Sequence, residues 1–419
     1  MRYLRKNLRF SKILFVIIFL LPIDWFYPTG SFFREAGAKP VNLFIVVVGI
    51  FFFLCGHRIF GVKVTFRAQP YLLILLFFGS VAFILSYLSL PELPHSDRSR
   101  TVQFIAQTSM LMMFMFVLQV LIYLFHRQQL RKQVLKLFFI VSVIHLSLFC
   151  FDALRLLGIK TDNIFLLFRN EAGLIERPSG LMSEPSYYGT FAAMYALPLM
   201  FFCEKNKFIY RLVASLLLVT AFAISAKTMF VVALAQAFVM IFFMKMKRSL
   251  RIGLIALFLI IAMAGAGLAS RSEATNLEEN LSSIMRIGSS VLAFNVAKDG
   301  YALLGIGTGQ FHFMYLPQFA PSFLFLSQEG QDQLYAISES RASTFNLPLR
   351  ILVEMGVCGF LVGLSFFYKL FFKLRNSIDR QTQMGICMVA GSIGFLLTQD
   401  TYCFPFLAFG IALAVTERK

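Results

Sequence analysis

The chain has 419 residues, of which 58% are hydrophobic and only 14% charged, and its formal net charge is +18. This apolar fraction lies well above that of soluble domains, so the composition excludes a soluble globular protein and predicts an all-α polytopic integral membrane protein. The basic residues are scattered over several short segments and form no single basic region, which argues against nucleic-acid binding.

Apolar runs long enough to cross a hydrocarbon core of roughly 30 Å recur along the whole chain and predict about twelve transmembrane helices. The first run follows a basic stretch, as in a signal peptide. Asp24, Trp25 and Pro28 then follow it without a small-x-small cleavage pattern, and we interpret it as an uncleaved anchor. The predicted spans are 12–27, 41–56, 69–90, 103–125, 133–156, 186–203, 208–225, 227–244, 252–269, 347–368, 384–398 and 402–416.

The lysines and arginines divide the connections between these spans into two alternating sets. With the N-terminus in the cytoplasm, most of the 39 basic residues fall on the cytoplasmic side, next to anionic lipid head groups. Both termini are then cytoplasmic, and a loop of 76 residues at 270–345 lies outside. Helical apolar spacing and aromatic residues in this loop predict a small folded cap over the outer face. The chain thus divides into membrane helices 1–158, a central membrane region 159–269, the outer loop 270–345 and membrane helices 346–419.

The first polar site on the outer side is the segment Arg177–Gly189, which precedes the sixth span with the sequence RPSGLMSEPSYYG. The guanidinium of Arg177 presents a fork of donors that suits phosphate or diphosphate. A carboxylate entering the membrane face, such as that of Glu184, can take a raised pKa suited to proton transfer. A structural ion pair between the two residues explains them equally well.

Two further outer motifs follow. The turn Ser225-Ala-Lys227-Thr joins two spans, and its lysine either contacts a ligand or snorkels to the interface. Within the long loop, Arg286 precedes Gly305-Ile-Gly307-Thr-Gly309-Gln-Phe311. Closely spaced glycines let backbone amides approach an anion, although a simple turn is the more common use of such a motif.

The last motif is Arg341-Ala-Ser-Thr-Phe345-Asn346, which leads into the tenth span and its pair Arg350 and Glu354. These two residues are four positions apart on one helix face, so mutual pairing is the simplest explanation. Charged residues inside a span nevertheless mark functional sites often enough to be noted. The cysteines lie in or beside the spans, without metal-type Cys/His spacing and without an acidic cluster, so no metal or cofactor is predicted.

In this order, the motifs resemble those of the bacterial O-antigen polymerase and O-antigen ligase family. The resemblance covers residues 177–359 and ends in Asn-x-x-Leu-x-x-x-x-Glu-x-Gly-x-x-Gly from Asn346 to Gly359. Ligases of the family typically carry a histidine where this chain has Phe345, and an arginine is more usual at the position of Lys227. The missing histidine favours the polymerase.

The resemblance implies a fold similar to that of C-type glycosyltransferases and a place in the bacterial inner membrane, in lipopolysaccharide synthesis. Such polymerases transfer a growing glycan from undecaprenyl diphosphate onto a new lipid-linked unit at the periplasmic face, with a membrane protein that regulates chain length as partner. The enzyme would stabilise the departing diphosphate and activate a sugar hydroxyl. The resemblance assigns the diphosphate to Arg177 and Arg286 with Lys227 and Arg341 in support, the base to Glu184, and the acceptor side to Gly305, Gly307, Gly309 and Asn346.

Two other functions fit parts of the sequence. An O-antigen or protein-glycan ligase would use the same donor and differ in its acceptor. A transporter of polysaccharide or lipid-linked sugar would also contain many spans with charges in the membrane. The chain lacks an evident two-half repeat, and its polar groups gather on one side, which favours the enzyme.

Overall fold

The structure of the protein, a computed structural model, describes most of the membrane helices and part of the long loop. Within this part the chain is helical and contains no strand. The described residues are 2–24, 39–89, 99–154, 178–203, 207–224, 228–244, 248, 251–256, 259, 281–313, 344–377 and 379–416.

Helices occupy the predicted spans, and of the ninth, 252–269, only residues 252–256 and 259 lie in the described part, where they are helical. The main difference is at the first span, where the helix ends at Leu20 rather than at 27. Pro22 explains the early end, because a proline disfavours the helical conformation of the residue before it. The helices are α1 (Arg2–Leu20), α2 (Pro40–Leu54), α3 (Gln69–Ser89), α4 (Arg100–Phe125), α5 (Gln128–Ala153), α6 (Pro185–Phe202), α7 (Lys207–Ala223), α8 (Thr228–Phe243), α9 (Leu281–Val296), α10 (Leu347–Leu374), α11 (Arg380–Leu396) and α12 (Pro405–Val415).

The outside of the helical bundle carries many exposed large apolar side chains. Helices α3, α4, α5 and α10 are long and apolar enough to cross a membrane, and shorter apolar helices accompany them. Large side chains such as Phe53, Phe77 and Phe242 are more than 60% exposed. Soluble proteins rarely expose apolar surface on this scale. These helices therefore indicate that the protein associates with a membrane.

The core of the bundle is built around α12. Every residue of this helix is buried, and it packs against α4 and α11. A Cβ atom at Gly385 would lie 2.6 Å from the backbone nitrogen of Ala414, so glycine is what allows α11 and α12 to approach so closely. Helix α6 is also largely buried, and its Tyr195 stacks on Phe138 of α5 with 4.1 Å between ring centroids.

Hydrogen bonds between helix ends divide the bundle into two ends. At one, Ser183 before α6 bonds to Asp24 after α1, and Leu347 donates its backbone N–H to the carbonyl of Gln399. At the other, Arg131 of α5 pairs with Asp379 before α11. We call these the Asp24 end and the Arg131 end. The alternation of helix direction agrees with the order of the predicted spans.

The described part of the long loop enters the bundle instead of capping it. It consists of α9, a π-helical turn at Ala297–Tyr301, a glycine-rich turn and a short 3-10 turn at Phe311–Phe313. Thr308 donates its N–H to the carbonyl of Gly79 at the middle of α3. The expected cap is thus wrong for these residues, which we call the inserted segment (residues 297–313).

Packing explains why the inserted segment lies so deep. Ile306 and Phe311 are buried together with Leu292 of α9 and Val353 of α10, so the segment hides apolar side chains that a surface cap would expose. Helix α10 breaks its regular geometry at Gly356, where φ is 67° and ψ is −174°. The backbone N–H groups of Val357 and Cys358 then donate to the carbonyls of residues 302 and 303. Irregular backbone at this depth is tolerated because such contacts satisfy its polar groups.

Candidate functional site

A small pocket lies at the Asp24 end between the end of α1, the start of α6 and the start of α12. The side chains of Ile23, Asp24, Lys39, Tyr187, Thr190 and Phe404 contribute to its wall. The space inside is comparable with a single water molecule. We call it the Asp24 pocket.

The carboxylate of Asp24 is held from the side of α6. Ser183 donates its backbone N–H to one carboxylate oxygen at 2.9 Å and its hydroxyl to the other. Burial raises the pKa of Asp24 from 3.8 to about 6, although the bonds from Ser183 and the charge of Lys39 oppose this rise. Near neutral pH, Asp24 is therefore a charged group that readily accepts a proton.

Lys39 supplies a positive charge to the same pocket. It directly precedes α2 and is only 8% exposed. Its ammonium group lies 6.0 Å from the ring centroid of Tyr187 and 5.8 Å from that of Phe404. Aromatic faces stabilise a cation that has lost part of its hydration.

A second charged cluster lies at the start of α10. The guanidinium of Arg350 donates to Glu354 at 3.1 Å and to the carbonyl of Asp400 at 2.8 Å, and lies 3.7 Å from the Asp400 carboxylate. Tyr402 donates its hydroxyl to the other oxygen of Glu354 at 2.6 Å. Glu354 is fully buried, and burial beside this carboxylate holds the pKa of Tyr402 well above its usual range. We call these four residues the Arg350 cluster.

The connection between α11 and α12, residues 397–404, joins the pocket and the cluster. Asp400 and Tyr402 belong to the Arg350 cluster, whereas Phe404 borders the Asp24 pocket. On the other side, Asn42 donates its side-chain amide to the carbonyl of Cys403 at 3.1 Å. One short turn thus carries side chains for both groups, which places them side by side.

Among the residues predicted for catalysis, Glu184 occupies an unexpected position. It is the residue before α6 and is exposed, and its carboxylate accepts a bond from the Ser186 hydroxyl at 3.0 Å. The burial expected for a proton acceptor is found instead at Asp24, whose partner Ser183 is the neighbour of Glu184.

The glycine-rich motif has a structural use. Gly305, Gly307 and Gly309 all have positive φ angles of 78° to 99°, and a Cβ atom at Gly307 would lie 2.4 Å from the Cα of Phe83. Gly305 and Gly307 donate their N–H groups to the carbonyls of Tyr301 and Glu354. These two amides are therefore engaged within the protein, and the geometry supports the interpretation as a turn over that of an anion site.

Asn346 begins α10 as its N-cap. Its side-chain oxygen accepts the N–H of Leu349 at 3.0 Å, and its amide nitrogen lies 3.4 Å from the carbonyl of Leu397. The preceding Phe345 has a φ of 49°, a left-handed conformation that costs a non-glycine residue about 1 kcal/mol. The pairing predicted for Arg350 with Glu354 is confirmed.

The remaining predicted cations lie wholly or partly outside the described residues. Arg177, Lys227 and Arg341 fall outside them, and for Arg286 only the backbone is described, within α9. The neighbouring Thr228 is placed at the Asp24 end, where its hydroxyl bonds to the carbonyl of Ser186.

Sequence reasoning missed Asp24, Lys39, Asp400 and Tyr402 as site residues. Asp24 and Lys39 flank the first outer connection, and Asp400 lies in the last one, so all sit where predicted spans end on the outer side. That shared position was the available signal. Among the described residues, no group of three or more His, Cys, Asp and Glu side chains is arranged to hold a metal ion.

The comparison with known proteins adds no family. No family model matches the chain, and no curated protein matches it either. The resemblance described above therefore rests on the order of its motifs.

Proposed function

We propose that the protein is a polymerase of lipid-linked oligosaccharide repeat units. It would transfer the growing glycan from undecaprenyl diphosphate onto the sugar of a new lipid-linked unit. The observation that carries this proposal is the gathering of acid and base groups at one end of an apolar bundle, in the Asp24 pocket and the Arg350 cluster.

We place the Asp24 end on the periplasmic side of the bacterial inner membrane. Support comes from the charges: the connections at the opposite end contain the basic residues Arg58, Lys63, Arg67 and Arg127, and Lys132 follows near the start of α5. Cytoplasmic connections are enriched in Lys and Arg. Lipid-linked sugar units would then reach the site from the outer leaflet.

Chemistry at a lipid-diphosphate donor requires cations for the leaving group and an acceptor for a hydroxyl proton. We assign the diphosphate to Arg177 and Arg286, with Lys227 and Arg341 in support, and the acceptor side to Asn346. The described residues add Lys39 as a cation and offer two carboxylates for the proton: Glu184, and Asp24, which is bonded to Ser183.

The proposal is tested by complementing a polymerase-deficient strain and separating its lipid-linked glycans by length. Arg177→Ala should abolish long glycans or shorten them strongly at matched membrane abundance. Lys132→Ala removes an exposed cation at the Arg131 end and serves as the control. Long glycans of normal abundance from Arg177→Ala would contradict the assignment, and glycan attached to lipid A or protein would identify a ligase.

The inserted segment favours transport as the second candidate. Transporters place broken helices at mid-membrane depth, and α10 is interrupted at Gly356 where the inserted segment meets it. Against transport, the polar side chains that contact the inserted segment lie near helix ends: Arg100 at the start of α4 donates to Gln310, and Ser86 near the end of α3 donates to the carbonyl of Ile306. Movement of a labelled lipid-linked sugar across vesicles, without any increase in glycan length, would support the transporter.

A further inference from the structure

Two carboxylates compete for the role of proton acceptor at the Asp24 end. Asp24 is held by Ser183 in a pocket, and Glu184 follows Ser183 directly in the chain. Their surroundings differ, because Glu184 is exposed whereas Asp24 is partly buried against protein. A general base works best when its pKa is near the working pH, and burial is the means by which a carboxylate reaches that range.

We propose that Asp24 accepts the proton of the attacking sugar hydroxyl. Ser183, through its hydrogen bonds, and Lys39, through its charge, control how strongly the Asp24 carboxylate binds that proton. This assignment rests on the proposed function and deepens it by naming the base. It replaces Glu184 in that role.

The pocket fits the reacting group in size and polarity. Its interior is comparable with one water molecule, so it admits a single hydroxyl and not a whole sugar ring. Tyr187 and Phe404 close its sides with aromatic rings, and Thr190 adds a hydroxyl. Such walls limit water around the carboxylate, which strengthens its interaction with a hydroxyl donor.

The reaction balances with the donor and acceptor alone. The acceptor hydroxyl oxygen forms a bond to the anomeric carbon of the donor glycan, while the bond from that carbon to the diphosphate oxygen breaks. The bonding electrons leave with the lipid diphosphate. The hydroxyl proton passes to the carboxylate of Asp24, which later releases it to water.

The test measures the pH dependence of kcat/KM for polymerisation by the full-length protein in lipid nanodiscs. The substrate is a defined undecaprenyl-diphosphate-linked oligosaccharide, and glycan length is the readout. The wild-type rate should fall below pH about 6, where Asp24 takes up its proton. Asp24→Asn should lower kcat/KM by about 10²-fold or more and remove this acid limb.

Ser183→Ala provides a second and gentler variant. The Ser183 side chain stabilises the charged form of Asp24, so its loss should move the acid limb to higher pH while the protein stays active. A structural role for the Asp24–Ser183 contact would not move this limb. The shift remains decisive if Asp24→Asn fails to fold.

Glu184→Gln and Asp152→Asn are the matched controls, because each removes one carboxylate charge at the same end. Asp152 accepts the backbone N–H groups of Ser179 and Gly180. Both controls should keep the wild-type acid limb. Loss of the limb in Glu184→Gln, or its persistence in Asp24→Asn, would overturn the assignment to Asp24 while leaving the polymerase intact. Wild-type protein that never lengthens the glycan would overturn the proposed function and this assignment together.

Discussion

Each end of the bundle holds an arginine beside a carboxylate, but in different surroundings. Arg131 donates to Asp379 and Thr382 at 2.6 Å each and to the carbonyl of Leu413 at 3.0 Å, which fastens α5 to α11 and α12. In the Arg350 cluster, one guanidinium faces both Glu354 and Asp400.

The difference distinguishes a structural ion pair, at Arg131, from a group of charges that can bind a ligand, at the Asp24 end. One arginine matched by one carboxylate and neutral acceptors leaves little charge for a ligand. At the Asp24 end, several carboxylates meet a lysine, an arginine and a pocket, which is an arrangement able to exchange protons. Perturbed titratable groups beside a pocket are more common at functional sites than in structural ion pairs.

The comparison first predicts a large loss of stability at the Arg131 end. Arg131→Ala should lower the free energy of unfolding by about 3 kcal/mol, because it leaves Asp379 and the Leu413 carbonyl without their buried donor. The value is at the low end of the usual range, since the Asp379 side chain keeps 30% of its exposure. Unfolding in mixed detergent micelles measures it, with the exposed Lys132→Ala as control. Equal stability of the two variants would contradict a stabilising role for the contacts of Arg131.

A glycine pair tests how much the inserted segment depends on close packing. Gly307→Ala should cost about 2–3 kcal/mol, since its Cβ would overlap Phe83 and its φ of 99° suits only glycine. Gly56 also has a positive φ, of 73°, but nothing lies within 4 Å of its Cβ position. Gly56→Ala should therefore cost about 1 kcal/mol. Thermal unfolding of both variants in one detergent gives the difference, and similar costs would contradict tight insertion.

The pH dependence of stability is the next test of the Asp24 end. Because the pKa of Asp24 is raised to about 6 in the folded protein, the folded state holds a proton that the unfolded chain has already lost. Stability should therefore fall as the pH rises from about 4 to about 6, by about 2 kcal/mol from this group. Subtracting the profile of Asp24→Asn from that of the wild type isolates the effect. A flat difference would show that Asp24 is not perturbed.

The smallest expected effect is at Glu354. Glu354→Gln keeps an oxygen to accept a hydrogen bond but removes the charge beside Arg350, so it should cost about 1 to 2 kcal/mol. Its effect on glycan synthesis should exceed that of Arg131→Ala at matched abundance of folded protein. A smaller effect of Glu354→Gln than of Arg131→Ala on glycan synthesis would show that the Arg350 cluster has a structural role.

Much of the architecture could be predicted because it depends on local sequence. Apolar runs of sufficient length placed the described helices, and the early end of α1 is explained by Pro22. The pairing of Arg350 with Glu354 was predictable for the same reason, since residues four apart on a helix are neighbours. Helix α9 agrees with the helical apolar spacing noted in the long loop.

Other features depend on packing between distant parts of the chain. The resemblance assigned the base to Glu184, which lies in a conspicuous motif, but the burial of a carboxylate depends on neighbours supplied by other helices. Asp24 meets Ser183 across 159 positions, and Tyr402 meets Glu354 only because the turn after α11 folds over the start of α10.

The conformation of the inserted segment also depends on packing between distant parts of the chain. Its glycines resemble an anion-binding turn when read alone, yet the amides of Gly305 and Gly307 donate to the carbonyls of Tyr301 and Glu354 inside the bundle. Hydrophobic length is a property of twenty consecutive residues, so the chain alone predicts its helices and their alternating direction. Which polar groups become neighbours, and which carboxylate loses its water, is decided when the helices pack, because desolvation depends on all the surrounding atoms.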